Sequence, residues 1–244
     1  MLDRLRALSY IAACALLAAC PKPLPPLVPE PLAPADRDSA VAWTRTRLPS
    51  QTVVIRFRWR YEDERGRHAG RGTARIAPPD SLRFDFAGPL GLGSGAAVLI
   101  GDRVAWADPE ASFRSLVPAV PMLWAALGMV LPPGEDASVF AAVDTPGAAA
   151  RRAVWRFAGA GDTLDYVATA GPADSGHDTR AGSLAAEWRR RGKVVARSRA
   201  QLDPQGRPAT ARVDFPEGSA RFELTVVAID TAVVFPPALW HSRR

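Results

Sequence analysis

The sequence predicts a mainly β (α+β) fold: a single curved antiparallel sheet of about 9–11 strands forming an incomplete β-barrel, with a few lid helices over an apolar cavity. Three observations support this fold class. Apolar and charged residues alternate in many short segments, tight-turn signals separate those segments, and helical patterns are scarce. The chain has 244 residues, and the part from 36 to 244 is long enough for one sizeable domain.

The first element, residues 1–19, has the pattern of a bacterial lipoprotein signal peptide. Arg4 and Arg6 make its start basic, and the apolar run from Ala7 to Leu17 is too short to span a bilayer as a helix. Leu17-Ala18-Ala19-Cys20 has the form of a lipobox, which predicts cleavage before Cys20 and lipidation of that cysteine. Residues 11–14 fit the same local pattern, but they would leave almost no apolar core before them.

Residues 20–35 are predicted to be a lipidated cysteine followed by a proline-rich tether. Seven prolines lie between positions 21 and 34, which favours an extended spacer that rises about 3.1 Å per residue. Position 21 is Pro and not Asp, which favours the outer membrane, with the domain facing the periplasm. The alternative is an ordinary cleaved signal peptide with an incidental Cys20. Because Cys14 leaves with the leader and Cys20 carries lipid, we expect no disulfide and no thiolate metal ligand.

The charge balance is basic. The whole chain carries a net charge of +6, and without residues 1–19 it has 29 Lys and Arg against 24 Asp and Glu, a net charge of +5. Export excludes nucleic acid as the natural partner, whereas anionic lipid headgroups fit the charge. Arg189 to Lys193 form the densest positive cluster, which is either a solvated hairpin tip or a contact for anionic headgroups or an acidic partner.

The domain is predicted to open with a helix over Asp36 to Leu48, after which strands dominate. Ile55, Phe57, Trp59 and Tyr61 alternate with arginines, so this strand has one apolar and one polar face. Gly101-Asp102 is a two-residue hairpin signal, and turns are also expected at Arg191-Gly192 and 204–206. The further predicted strands are 70–77, 82–86, 95–100, 103–107, 152–158, 163–170, 181–189, 193–202, 213–215 and 222–226.

A second helical candidate, Glu110 to Leu131, is interrupted by Pro118 and Pro121, each of which removes a backbone donor. Its apolar residues cover nearly every side, so it is either buried in a core or covers an apolar cavity. Two or three short helices cannot fill the concave side of so large a sheet. We therefore predict a hollow for a hydrophobic ligand; a well-packed core is the alternative. The candidate cavity residues are Phe57, Trp59, Phe84, Phe86, Leu123, Trp124 and Leu127.

The glycine-rich stretch from Gly88 to Gly95 lies between two predicted strands. No Gly-Lys-Ser/Thr follows, and no helix begins after it, so nucleotide binding is not expected. Leu90 and Leu92 lie at its tip. They either fold back onto the sheet or touch a membrane or a lipid-bearing partner.

The order of these motifs resembles the LolA/LolB family of outer-membrane lipoprotein localisation proteins. The lipobox, the strands near 71–77 and 82–86, the turn Gly88-Pro89-Leu90-Gly91 and the segment 127–132 carry the resemblance, which is closest to the receptor LolB. It implies an incomplete barrel whose helices cover an acyl-chain cavity, a periplasmic LolA-like carrier as partner, and transfer of lipoproteins or lipids to the outer membrane. The membrane-inserting leucine of that family would be Leu90.

No catalytic site is evident in the sequence. His68, His177 and His241 lie in predicted loops or the tail, without metal-ligand spacing, and the acidic stretches 62–64 and 162–165 are read as turns. We therefore expect no enzyme, no metal and no cofactor. The alternative to a lipid carrier is an accessory or scaffold lipoprotein that binds a protein partner without lipid cargo, and a filled hollow would favour it.

Overall fold

The computed structural model of the chain describes residues 24–29, 31–88, 93–142, 152–170 and 182–241. Thirteen strands within these ranges form one antiparallel sheet. The strands are β1 (Ala33–Pro34), β2 (Val53–Asp63), β3 (Gly66–Ala77), β4 (Ser81–Ala87), β5 (Gly95–Ile100), β6 (Arg103–Asp108), β7 (Ser138–Ala141), β8 (Arg152–Gly159), β9 (Asp162–Thr169), β10 (Gly182–Arg190), β11 (Lys193–Leu202), β12 (Pro208–Phe215) and β13 (Ala220–Thr231).

The sheet is open and not a closed barrel. Its strand order is β1-β7-β8-β9-β10-β11-β12-β13-β2-β3-β4-β5-β6, so β1 and β6 are the two edges. Three α-helices accompany it in the described ranges, α1 (Arg37–Arg45), α2 (Glu110–Leu116) and α3 (Val120–Ala126), with short 3-10 turns at Pro216–Gly218 and Pro237–Trp240. The predicted fold class, one large curved antiparallel sheet with few helices, is confirmed.

Eleven of these strands fall on segments in which the sequence predicts strand, and the Gly101 turn is present with φ of +59°. The two others were missed. β1 is only two residues long and lies in the proline-rich stretch, and it pairs with Phe140 and Ala141 of β7, which are more than 100 residues away in the sequence. β7 itself has four residues, too few for a recognisable alternation. The two acidic stretches expected to form turns lie mostly in strands: residues 162–165 belong to β9, and Glu62 and Asp63 end β2.

The alternation in β2 produces its two faces. Phe57 and Trp59 are buried, whereas the intervening arginines are exposed. The partners of Phe57 and Trp59 in β3 are Gly72 and Gly70. A Cβ atom added to Gly72 would lie 2.3 Å from the Phe57 ring, so glycine is required for the ring to cover this strand.

Asp36 is the N-cap of helix α1, and its carboxylate accepts a hydrogen bond from the Ser39 amide at 2.8 Å. That bond lowers the pKa of Asp36. From the first turn, Arg37 donates to the carbonyl oxygens of Pro133 at 2.9 Å and Ala137 at 3.1 Å. The helix therefore fixes the segment that joins α3 to β7.

The segment from Glu110 to Leu131 forms two helices rather than one. Pro121 lies in the first turn of α3, where its missing N–H costs nothing, so it begins a helix and does not break one. The break lies at Val117 and Ala119, which are both non-helical and buried. Helix α3 is buried against β10, β11 and β12, which explains why its apolar residues point in every direction.

Both ends of the described chain cover the outer face of the sheet. Residues 24–29 and 31–34, here called the N-terminal strap, lie against β8–β11 and pair with β7. At the other end, Arg83 donates to the Leu239 carbonyl at 2.6 Å, and the Trp106 indole donates to the Trp240 carbonyl at 3.1 Å. Part of the predicted tether therefore lies on the domain.

Candidate functional site

The concave side of the sheet contains a hollow of about 1000 Å³. Strands β8, β9 and β10 form its floor, the start of α3 and the segment 131–137 cover it, and the β3–β4 and β5–β6 turns border it. It opens to solvent between exposed rim residues such as Arg103, Glu135 and Asp136. This volume is at the upper end of the range of small-molecule sites, and the hollow is an open depression with an apolar floor and a charged border.

The floor of the hollow is a ladder of large side chains in register. Phe157 of β8 pairs with Leu164 of β9, which pairs in turn with Trp188 of β10. Tyr166 lies two residues further along β9, and its ring is 5.5 Å from that of Phe157. Burial raises the pKa of the Tyr166 hydroxyl, so this residue stays neutral. Leu164 and Trp188 are only half-buried and face the open space.

The rim of the hollow is acidic, in contrast to the basic chain. Two of its lining residues are arginines, Arg103 and Arg114, and five are carboxylates: Asp80, Asp102, Glu135, Asp136 and Asp162. Its formal charge is therefore −3. Arg114 is already paired with Glu110 at 2.7 Å, and Asp162 with Arg190 at 3.3 Å.

The seven predicted cavity residues lie together elsewhere on the concave side. All of them are at most 6% exposed, and none lines the hollow. Phe57 and Phe84 stack with ring centres 5.4 Å apart, and the Trp124 indole donates to the Gly101 carbonyl at 2.9 Å. Side chains of β2, β4 and α3 therefore fill this part of the concavity as one core, and the open space lies beside it, lined by residues of β8–β10. Contact of the seven with lipid stays a prediction.

Three further predicted site residues, Cys20, Leu90 and Leu92, lie outside the described residues. The strands that border the leucine loop are described. Gly95 opens β5 opposite Phe86, and a Cβ atom on Gly95 would lie 2.5 Å from that ring. The strands on either side of residues 89–92 are therefore closely packed at Phe86 and Gly95.

The predicted basic cluster 189–193 divides between two environments. Arg189 is largely buried and donates to the Asp165 carboxylate at 3.1 Å. Arg190 lies over the Trp188 ring, with its guanidinium carbon 4.6 Å from the ring centre. Arg191 and Gly192 form the hairpin turn, with φ values of +49° and +79°. Only the tip of this cluster is a solvated basic surface.

A row of charged residues of both signs on the outer face was not predicted from the sequence; its signs alternate except at Asp165 and Glu187, two carboxylates that face each other. Its members face one another in register across eight strands. We call Arg156, Asp165, Glu187, Arg197, Asp214, Arg221, Glu62 and Arg67 the charge row. The N-terminal strap covers its first half, where Asp165 and Glu187 are buried, and leaves the second half open. The sequence shows that each member lies at an outward position of its strand. It does not show which distant strands are neighbours, so the row itself could not be predicted.

The described residues show neither a metal centre nor a membrane-spanning helix. No group of three or more His, Cys, Asp or Glu side chains in these ranges is placed to hold a metal ion. Among the same residues, no helix has the length and apolar character needed to cross a membrane. His68, which was expected in a loop, lies in β3. Both His68 and His241 are exposed, and His177 lies outside the described residues.

Comparisons with known proteins give likenesses of fold alone. No protein-family model matches the chain, and no curated protein matches it significantly. A LolA superfamily protein from Nitrosomonas europaea is 10% identical, with a TM-score of 0.45, and the match covers 85% of this chain and 98% of that chain. A domain named for outer-membrane lipoprotein sorting, from Vibrio parahaemolyticus, is 8% identical, with a TM-score of 0.40 and coverage of 82% and 94%.

A third similar structure is a DUF1329 family protein from Desulfovibrio piger, 9% identical, with a TM-score of 0.35 and coverage of 84% and 95%. The first of these proteins carries the superfamily name that the sequence resemblance predicts, and LolB is not among the three. Because the identities and TM-scores are low, the function proposed next rests on the hollow and its residues.

Proposed function

We propose that this chain is a lipid-anchored protein of the bacterial outer membrane, facing the periplasm, that binds acyl chains in the hollow and accepts or transfers lipoproteins or lipids. The observation that carries the proposal is the hollow itself. Its floor consists of Phe157, Leu164 and Trp188, and the start of α3 and the segment 131–137 cover it. Its volume of about 1000 Å³ accommodates a ligand with acyl chains.

Transfer by such a site is passive. An acyl chain that leaves water for the hollow gains about 0.8 kcal/mol for each methylene that is fully buried. Movement from a carrier to the hollow, and from the hollow to the bilayer, exchanges one dry environment for another and needs no catalytic group. A periplasmic LolA-like carrier is the proposed donor, and the acylated Cys20 is the proposed anchor.

The first test uses the mature domain with Cys20→Ala, which is made without its anchor. We expect lipid to co-purify and to be identified by mass spectrometry, and a fluorescent fatty acid to bind. Leu164→Ala and Trp188→Ala remove apolar contact from the floor and should weaken binding about five- to thirtyfold, equivalent to 1–2 kcal/mol. Val234→Ala, at a side chain that is 92% exposed, is the control.

Absence of both bound lipid and fatty-acid uptake would instead favour an accessory or scaffold lipoprotein. Photolabelling tests whether the seven buried residues around Phe84 and Trp124 also contact the ligand. If α3 and the segment 131–137 move away from the sheet, a photoreactive fatty acid labels these residues as well as Leu164 and Trp188; otherwise it labels Leu164 and Trp188 alone.

We propose that Leu90, with Leu92 beside it, makes the membrane contact during transfer. Leu90→Glu places a charge where an apolar side chain would enter the interface, so delivery to membranes should fall while folding and fatty-acid binding stay normal. The measurement is transfer of a labelled lipoprotein to outer-membrane vesicles, with Leu90→Ile as the matched control. Unchanged delivery by Leu90→Glu would remove this role.

A further inference from the structure

The N-terminal strap is fixed to the domain by polar and apolar contacts. The Leu27 amide donates to Oε2 of Glu187 at 3.2 Å, Arg156 donates to the Val28 carbonyl at 3.4 Å, and Arg197 donates to the carbonyl of Pro25. Val28 is 2% exposed and packs on Val154 and Val167. The strap therefore does not act as a free spacer from Leu24 onward.

The groups that hold the strap are themselves buried. Glu187 is 0% exposed and accepts from Arg189 and Arg197, and Asp165 is 1% exposed and accepts from Arg156 at 2.6 Å. Removing one partner of a buried ion pair leaves an uncompensated charge, which is strongly unfavourable. The strap closes this part of the charge row from water, so strap and row stabilise one another.

The position of Leu24 limits how far the domain can stand from its anchor. Leu24 is half-exposed and lies in a groove with the β2–β3 turn, at Asp63 and Glu64, and the β12–β13 turn, at Pro216 and Ser219. Four residue steps separate Leu24 from Cys20, and a fully extended chain covers at most about 14 Å in four steps. An acyl anchor on Cys20 would hold this end of the sheet at the membrane surface.

We propose that the end of the sheet formed by the β2–β3 and β12–β13 turns is the face that rests on the lipid headgroups, held there by the docked strap. The inference rests on the proposed lipidation of Cys20. Beyond the anchor itself, it assigns the domain a fixed orientation on the membrane. A long free spacer would allow every orientation, whereas the short link from Cys20 to the docked strap does not.

The chemistry of this face matches a zwitterionic headgroup layer. The groove beside Leu24 is lined by four carboxylates and four guanidiniums, so both signs are present without net charge. The carboxylates are Glu62, Asp63, Glu64 and Asp214, and the guanidiniums are Arg197, Arg199, Arg212 and Arg221. A headgroup with an ammonium and a phosphate offers partners for each.

The test uses the full lipidated protein in vesicles of phosphatidylethanolamine and phosphatidylcholine that contain a headgroup spin-labelled lipid. Because Cys20 is consumed by lipid, one added cysteine can be labelled with a fluorophore. Glu64→Cys reports on the proposed face. Gln205→Cys lies beyond the far end of β11, whose course from Arg197 to Leu202 adds about 17 Å. We expect quenching at position 64 to exceed that at 205 about threefold or more.

A strap that is released or lengthened should remove the difference. Insertion of about ten Gly and Ser residues between Lys22 and Pro23 gives the anchor a flexible reach without touching the domain, so the two positions should then be quenched alike. Equal quenching at 64 and 205 without the insertion would overturn the orientation, provided that the protein floats with the vesicles. A protein that does not float, or floats equally well as Cys20→Ser, contradicts the lipid anchor instead.

Discussion

At the scale of the residue, glycines in β3 make room for aromatic rings of the neighbouring strands. Gly70 and Gly72 face Trp59 and Phe57, and the Phe57 ring stacks in turn on Phe84. A strand position without a side chain opposite each large ring therefore lets the ring pack close to the neighbouring strand. The sequence shows both the rings and the glycines, but only the register between β2 and β3 shows that they belong together.

Gly72→Ala should destabilise the domain, although alanine suits a strand better than glycine. The added Cβ would lie 2.3 Å from the Phe57 ring and 3.0 Å from the Asp85 carbonyl oxygen, so the ring must move. We expect a loss of about 1–3 kcal/mol in the free energy of unfolding, measured by denaturant titration.

The matched control for that substitution is Gly134→Ala, where the new Cβ meets nothing within 4 Å. Its stability should be unchanged or slightly higher, because alanine reduces the freedom of the unfolded chain. Equal effects at positions 72 and 134 would show that the Phe57 ring tolerates the methyl group.

At the scale of the element, the strands could be predicted from the sequence. The helix boundaries and the docking of the N-terminal strap could not. Alternation of apolar and charged residues fixed the place of β2 and β4, because one face of each strand is buried. The two helices near Pro118 and Pro121 were harder, since a proline in the first turn begins a helix as readily as an interior proline breaks one. Proline density alone indicated an extended strap, but not that Val28 has a partner on the sheet.

Val28→Asn tests whether the strap is held by its apolar contact. The amide side chain cannot pack on Val154 and Val167, so the strap should open locally while the sheet stays folded. Hydrogen exchange in a peptide covering 24–35 should become faster, including the Ala35 amide that donates to the Val139 carbonyl at 3.0 Å. Exchange in β2 and β3 should not change.

Leu24→Asn is the control for that change, because Leu24 is already half-exposed. It should leave exchange in the strap as it is. If Val28→Asn leaves the strap as protected as the parent chain, the hydrogen bonds to Glu187 and Arg156 hold it without help from Val28.

At the scale of the whole molecule, charge is distributed against the overall balance. The chain carries +6, yet the rim of the hollow carries −3. The sequence predicts that Phe84 and Trp124 contact a lipid in a hollow over the sheet; both side chains are buried and neither lines the open space. Face and residue type do not tell which part of a concavity the helices fill. Composition likewise shows the net charge of the chain. It cannot show the charge of the rim, because the rim residues come from five separate parts of the chain.

The acidic rim should make the hollow prefer acyl ligands with neutral or cationic heads to free fatty-acid anions. A carboxylate held about 8 Å from each rim charge is repelled by roughly 0.5 kcal/mol per charge before salt screens it. Asp102→Asn combined with Glu135→Gln should therefore strengthen binding of a fluorescent fatty acid about two- to fivefold and leave its methyl ester unchanged. Fluorescence titration at low and high salt measures both, and high salt should reduce the gain.

The control carries the same change of net charge at a distance from the hollow. Glu64→Gln with Glu217→Gln removes two exposed carboxylates that do not line it, so fatty-acid binding should stay at the parent value. If this pair strengthens binding as much as the rim pair, the net charge of the molecule governs affinity and the rim does not. If the methyl ester gains as much as the acid, the rim substitutions act by widening the entrance, because repulsion between carboxylates cannot affect a neutral ligand.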